Sequence, residues 1–150
     1  MKYLITDPMY LIEDDSAWGK CIECWNDENL ATDEKQEITN QMISDELERI
    51  TKKKAWCSQT GYGDWSNEVM GCKGSKIISG GFGADSGMVC VCKYSSKFKD
   101  AVQRLNSKAP LVAIIDLDYE PEVIMNTKDP EWTIVEITDG THMFQTIANN

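Results

Sequence analysis

Apolar residues recur every three or four positions in the first third of the chain and at strand spacing over most of the remainder. From about Asp33 to about Lys54, the residues Ile38, Met42, Ile43, Leu47 and Ile50 fall on one face of a 3.6-residue period, which predicts a long amphipathic helix. Asp33, Glu34 and Glu37 occupy its first turns and Lys52, Lys53 and Lys54 its last, the order that the helix dipole favours. Its flank of Asp45, Glu46 and Glu48 is open to a partner. Upstream, "DDSAWGKCIECW" spaces Trp18, Cys21, Ile22 and Trp25 three and four apart, predicting a short helix with those four on a buried stripe. Further on, "SSKFKDAVQRL" predicts another short helix, capped by Ser95 or Ser96, with Phe98, Ala101, Val102 and Leu105 facing inward.

Elsewhere the pattern is that of strands. "YLITDPMYLI" reads as two short strands around an Asp-Pro turn, and "AWCSQT", "NEVMGC", "KIIS", "MVCVCKY", "PLVAIIDLDY", "EVIM", "WTIVEIT" and "HMFQTI" as further ones. The expected fold is α+β: a single domain over 1–150, helical over about 14–54 and β-rich over about 55–147. Its sheet is mostly antiparallel and strongly bent, with one long helix in the N-terminal half and a shorter one later. A chain of 150 residues is long enough to bury one core.

Glycines cluster in "SGGFGADSGMVCVC", residues 79–92, yet no nucleotide motif is complete there. Gly81 and Gly83 are followed by Gly87, one residue late for the dinucleotide fingerprint, and the next segment is strand-like rather than helical. A Walker loop would need Lys and Ser or Thr after its last glycine. The expectation is a hairpin turn in which Asp85 accepts backbone N–H groups. The alternative is a ligand loop, with Trp56, Tyr62, Trp65 and Phe82 supplying aromatic faces for a nucleotide base.

"YLITDP", "GYGDW" and "SGGFGADSG" together resemble a loose group of small phage and prophage proteins of unknown function. Those proteins open with a Tyr-Leu-Ile-Thr-Asp-Pro-Cys-Tyr-like strand and later carry Gly-Asp-Gly and Gly-Val-Asp-Ser-Gly segments. Here Met9 stands at the Cys position and Trp65 at that of the second Gly of Gly-Asp-Gly. The resemblance implies a viral or mobile-element origin and singles out Asp7, Asp64 and Asp85, each in a turn.

"AIIDLDYEPEVI" alternates acids with apolar residues. Read as one strand, it puts Asp116, Asp118, Glu120 and Glu122 on one side and Ile115, Leu117, Tyr119 and Val123 on the other. Four carboxylates about 7 Å apart repel one another unless water, cations or a basic partner intervene. A calcium loop of the EF-hand type fails, because Pro121 stands where glycine is required. A solvated edge, a metal-binding or catalytic carboxylate set, and a face that mimics nucleic-acid phosphates remain open.

Charge narrows the partners. With 25 Asp and Glu against 15 Lys and Arg, the net charge is −10, which repels nucleic acid and anionic membranes and favours a basic protein. No stretch approaches membrane-spanning length, and the opening lacks the uninterrupted apolar run of a signal peptide, so a reducing, cytoplasmic location is expected. Six cysteines then read as free thiols, most simply as small buried hydrophobes. Zinc is the alternative, with Cys21 and Cys24 as half a site and Cys57, Cys72 or the Cys90 and Cys92 pair as the rest. His142 is the only histidine, and no nucleophile motif accompanies it. The leading expectation is a non-catalytic, cofactor-free phage or mobile-element protein that inhibits a basic host nuclease or other defence factor. Its binding residues would be Asp116, Asp118, Glu120 and Glu122, with Asp64, Trp65, Asp85 and Phe82 in the neighbouring turns. A nucleotide-signal sponge and a metal-dependent hydrolase built on Asp64, Asp85 and the 116–120 carboxylates are the alternatives.

Overall fold

A computed structural model describes residues 1–59, 65–72, 76–125 and 135–149, without the side chains of residues 65, 72, 84 and 147–149. The chain is α+β. Strand β1 (Lys2–Thr6) leads through a 3₁₀ turn (Pro8–Tyr10) to helices α1 (Asp15–Trp25) and α2 (Thr32–Thr51). Strands β2 (Trp56–Gln59), β3 (Trp65–Cys72), β4 (Lys76–Ser79), β5 (Gly81–Ala84) and β6 (Met88–Lys93) follow. After helix α3 (Lys99–Asn106) come β7 (Ala113–Asp116), β8 (Glu122–Met125), β9 (Val135–Thr138) and β10 (Met143–Asn149).

The strands form two five-stranded antiparallel sheets, one in the order β2-β6-β1-β7-β4 and the other β5-β3-β10-β9-β8, where the sequence suggested one bent sheet. The bend is nonetheless real. Only Gly80 separates β4, in the first sheet, from β5, in the second, and its carbonyl accepts the amide of Val69 at 2.7 Å. One chain segment thus turns the corner between the sheets.

The layers are helices, first sheet, second sheet. Tyr3, Ile5, Val89, Val91 and Ile115 meet Val69, Phe82, Ile137 and Phe144 between the sheets. On its other face the first sheet presents Leu4, Cys90, Cys92 and Val112 to Ile43 and Leu47 of α2 and to Phe98 and Val102 near α3. Central strands β1 and β6 are therefore buried on both faces, which explains why "YLI" and "MVCVC" are apolar without alternation.

Four local expectations change. Residues Pro8–Tyr10 wind into a 3₁₀ turn instead of a second strand, because the Asp7 carboxylate caps it by accepting the Met9 amide at 2.9 Å. In α1, Cys21 and Cys24 are buried while Ile22 is 62% and Trp25 40% exposed, so half of the expected buried stripe faces outward. In α2 the inward line runs through Thr39, Ile43, Ser44 and Leu47, with Ile38 at its margin. Residues 85–87 do not close a hairpin: β5 pairs with β3 in the second sheet, β6 with β1 and β2 in the first, and the turn joins the layers.

Candidate functional site

The Asp7 carboxylate is fully buried and gathers four donors. Oδ1 accepts the Met9 amide and the Ser86 hydroxyl (2.7 Å), and Oδ2 accepts the amides of Asp85 and Ser86, both at 2.6 Å. Tyr10 adds a hydroxyl that donates to the Asp85 carboxylate. The "YLITDP" and "GADSG" patches thus meet in space, with Asp7 locking the turn that contains Asp85. Asp64 lies outside the described residues, as do the side chains of Trp65 and Cys72. Gly81 is needed for close approach, since a Cβ there would stand 2.7 Å from Cβ of Pro110, whereas one on Gly83 would crowd only the Cδ2 end of the Leu111 side chain, at 2.9 Å. Positive φ in this loop occurs only at Gly87. Phe82 is a core side chain with no exposure, so it offers no face to a nucleotide.

The carboxylate row is not built. Asp116 ends β7, and residues 117–121 carry the chain across to β8 in the other sheet, so alternation stops at the point where the acids begin. The Leu117 amide donates to the Met1 carbonyl and the Asp118 amide to Asp139 Oδ2, while buried Pro121 has no amide to give. Each acid acquires a separate setting. Asp116 accepts the N-terminal ammonium at 3.0 Å, which holds its carboxyl below the usual range. Glu120 pairs with Lys53 at 3.3 Å, and Glu122 is exposed on β8.

Asp118 joins Asp139 and His142 in the one group of three donor side chains, among the described residues, whose ligand atoms lie within 4.8 Å of one another. His142 Nδ1 is 3.1 Å from Asp139 Oδ2 and 3.6 Å from Asp118 Oδ2. Asp139 is already committed, however. Its Oδ1 accepts the amides of Thr141 and His142, and its Oδ2 accepts the Asp118 amide beside the imidazole. Burial raises its carboxyl, but those amides and the imidazole outweigh the effect and hold it well below the ordinary carboxylate range. The group ties the β9–β10 turn to the segment after β7.

Among the described residues the thiols do not gather in threes. No three of the described thiols bring their sulfurs within 4.8 Å of one another; of the alternative zinc set Cys21, Cys24, Cys57 and Cys72, the Cys72 side chain lies outside the described residues. Cys57 and Cys90 lie opposite each other on β2 and β6. Burial first, then the nearby Asp7 carboxylate, pushes the Cys57 thiol up; burial and then a hydrogen bond with Cys92 push up Cys90. Protonated thiols of this kind pack and are poor nucleophiles.

What the fold does assemble lies on the helical layer. Residues 13–49 hold 12 Asp and Glu against three Lys and Arg, a net of −9 within a chain of −10. One ion pair, Arg49 with Glu46, lies within that layer among the described residues. Sunk into it is a groove of about 890 Å³. Helix α1 supplies one wall with Trp18, Cys21, Ile22 and Trp25, and buried Met88 and half-buried Leu105 also line it. Met9 and Tyr10 of the 3₁₀ turn close one side, and Glu13 and Asp15 line it with Arg104 as its one basic residue. The Trp18 indole donates to the Ile12 carbonyl at 3.1 Å, fixing that ring in place. The arrangement is an apolar, aromatic groove with an acidic surround, suited to binding an apolar group that carries positive charge beside it.

Sequence reasoning found the α1 stripe and assigned all of it to the core; Met9, Tyr10, Glu13, Asp15 and Arg104 it missed. The signal available was the concentration of acids around the stripe, which a core helix does not need. Among the described residues, no helix is long and apolar enough to cross a membrane. Compared with known proteins, the chain matches no family model, no curated protein and no solved structure.

Proposed function

We propose that the protein is a non-catalytic binding protein whose acidic helical layer engages the basic surface of a protein partner. The observation that carries this reading is the net charge of −9 in residues 13–49, with Glu13 and Asp15 lining an apolar groove, while Asp116, Glu120 and Asp139 are each answered locally. Such a field attracts Lys- and Arg-rich surfaces and accelerates encounter with them. On the resemblance to phage and prophage proteins, the partner class is a host nucleic-acid-handling or defence enzyme, whose cleft is lined with the same basic residues. Occupying that cleft would inhibit the enzyme.

The test is capture of partners from a host-cell lysate, followed by titration of the identified partner. Wild-type binding should weaken steeply between low and physiological salt. A variant carrying Glu13→Gln, Asp15→Asn, Glu23→Gln and Glu28→Gln should bind at least about tenfold more weakly, with a shallower salt dependence. A partner held equally by both proteins, or one that is itself acidic where it is bound, rules the reading out.

A further inference from the structure

We infer that the groove seats the apolar face of a basic amphipathic helix belonging to the partner, an inference that rests on the binding reading above. Trp18, Cys21, Ile22 and Trp25 stand at i, i+3, i+4 and i+7 on α1, and all four line the groove. That spacing is the ridge by which one helix packs against another. Within the chain the ridge is only half used: Cys21 is buried toward α2 and the first sheet, whereas Ile22 is 62% and Trp25 40% exposed. Exposed aromatic and branched side chains at helical spacing form one side of a helix-in-groove contact, and a volume of about 890 Å³ accepts the anchors of roughly two turns. Met9 and Met88 add side chains that reshape around such anchors.

Charge selects the occupant. Residues 13–28 carry Glu13, Asp14, Asp15, Glu23, Asp27 and Glu28 against Lys20 alone. A helix lying along α1 therefore meets carboxylates on its flanks and is favoured when those flanks bear Lys or Arg. The same field disfavours two other occupants. A nucleotide would bring phosphates against Glu13 and Asp15, and a second copy of this chain would bring another −9 layer against the first.

The experiment measures fluorescence anisotropy of three labelled synthetic peptides of roughly 18 residues. One arranges Leu, Trp and Lys as an amphipathic helix, one scrambles the same residues so that no apolar face forms, and one keeps the pattern with Glu for Lys. At low salt the basic amphipathic peptide is expected to bind, the scrambled one at least about tenfold more weakly, and the acidic one not measurably. Ile22→Asn and Trp25→Ala, both at exposed positions, should each weaken the first peptide about tenfold or more, with unchanged helix content by circular dichroism. Equal binding of both basic peptides, untouched by those substitutions, overturns the groove assignment while leaving the acidic layer as the binding surface. Binding of the acidic peptide as tightly as the basic one overturns the charge selection. Failure of both basic peptides to bind at low salt overturns the binding reading itself, and this inference with it. Concentration-dependent dimerisation lost in Trp25→Ala would identify a second copy as the occupant and overturn the assignment to a basic helix.

Discussion

The helical layer and the strand layers treat their carboxylates in opposite ways. At 116–122 the acids alternate in the sequence and are then dispersed by the fold: Asp116 goes to the terminal ammonium, Asp118 lies beside His142, Glu120 pairs with Lys53 and Glu122 is exposed on β8, while Asp139 accepts three amides beside an imidazole. In residues 13–49 the acids follow no tidy pattern, yet Glu13, Asp15 and Glu23 remain exposed, and Glu13 and Asp15 line an apolar groove. An outward field depends on which charges the fold leaves unanswered, and sequence spacing does not report that. Stability should therefore reside in the strand layers and their junctions, and recognition in α1.

The strongest test of that division is Asp7→Ala. The substitution leaves the amides of Met9, Asp85 and Ser86 and the Ser86 hydroxyl without their acceptor in a fully buried place. Each orphaned donor costs about 1–3 kcal/mol before relaxation, so a net loss of about 4 kcal/mol is expected, read by urea denaturation. A loss under about 1 kcal/mol would mean that those donors find other partners and that Asp7 does not lock the 85–87 turn against the end of β1.

Next in size is a contrast within the helices. Leu47→Ala, at a position with no exposure, should cost about 3 kcal/mol through the cavity it leaves. Ile22→Ala, on the groove, should change stability by no more than about 0.5 kcal/mol and act on binding instead. Equal costs at the two positions would place Ile22 in the core, as its spacing in the sequence suggests, and remove the distinction between scaffold and recognition ridge.

That contrast marks how far the sequence could be read. Class, helix extents and most strands were legible because periods of 3.6 and 2 survive folding. The direction of the α1 stripe was not, since periodicity says that Trp18, Cys21, Ile22 and Trp25 share a face without saying what covers it. The acid row misled for a related reason: alternation continues from Asp116 to Glu122 across a break between two sheets, and Pro121 was the local cue that an amide was missing. Residues as far apart as Asp7 and Ser86 are brought together by the antiparallel register of β1 with β6, which no local pattern encodes.

A third, smaller effect is set by pH. Asp139 is held below the ordinary value near 3.9, so the folded state gains from its ionised form. That contribution is fully present above about pH 4 and disappears as pH falls through the depressed folded value. Asp139→Asn should thus be less stable than wild type by about 2 kcal/mol at pH 7, and the gap should narrow at about pH 3. A gap that stays constant or widens on acidification would show that the amides of Asp118, Thr141 and His142 do not depend on its charge.

The smallest effects decide the most about function. Glu120→Gln removes an exposed pair with Lys53, and such pairs contribute about 0.2–1 kcal/mol. Asp116→Asn weakens a less exposed contact with the terminal ammonium. Neither should alter binding of a basic amphipathic peptide more than about twofold, because both charges are already answered within the chain and lie outside the groove. Glu13→Gln with Asp15→Asn removes charge at the groove itself and should cost more than either. If anisotropy titrations rank the pairs the other way, the 116–122 segment is the recognition surface after all. The unanswered charge of α1 would then serve solubility alone.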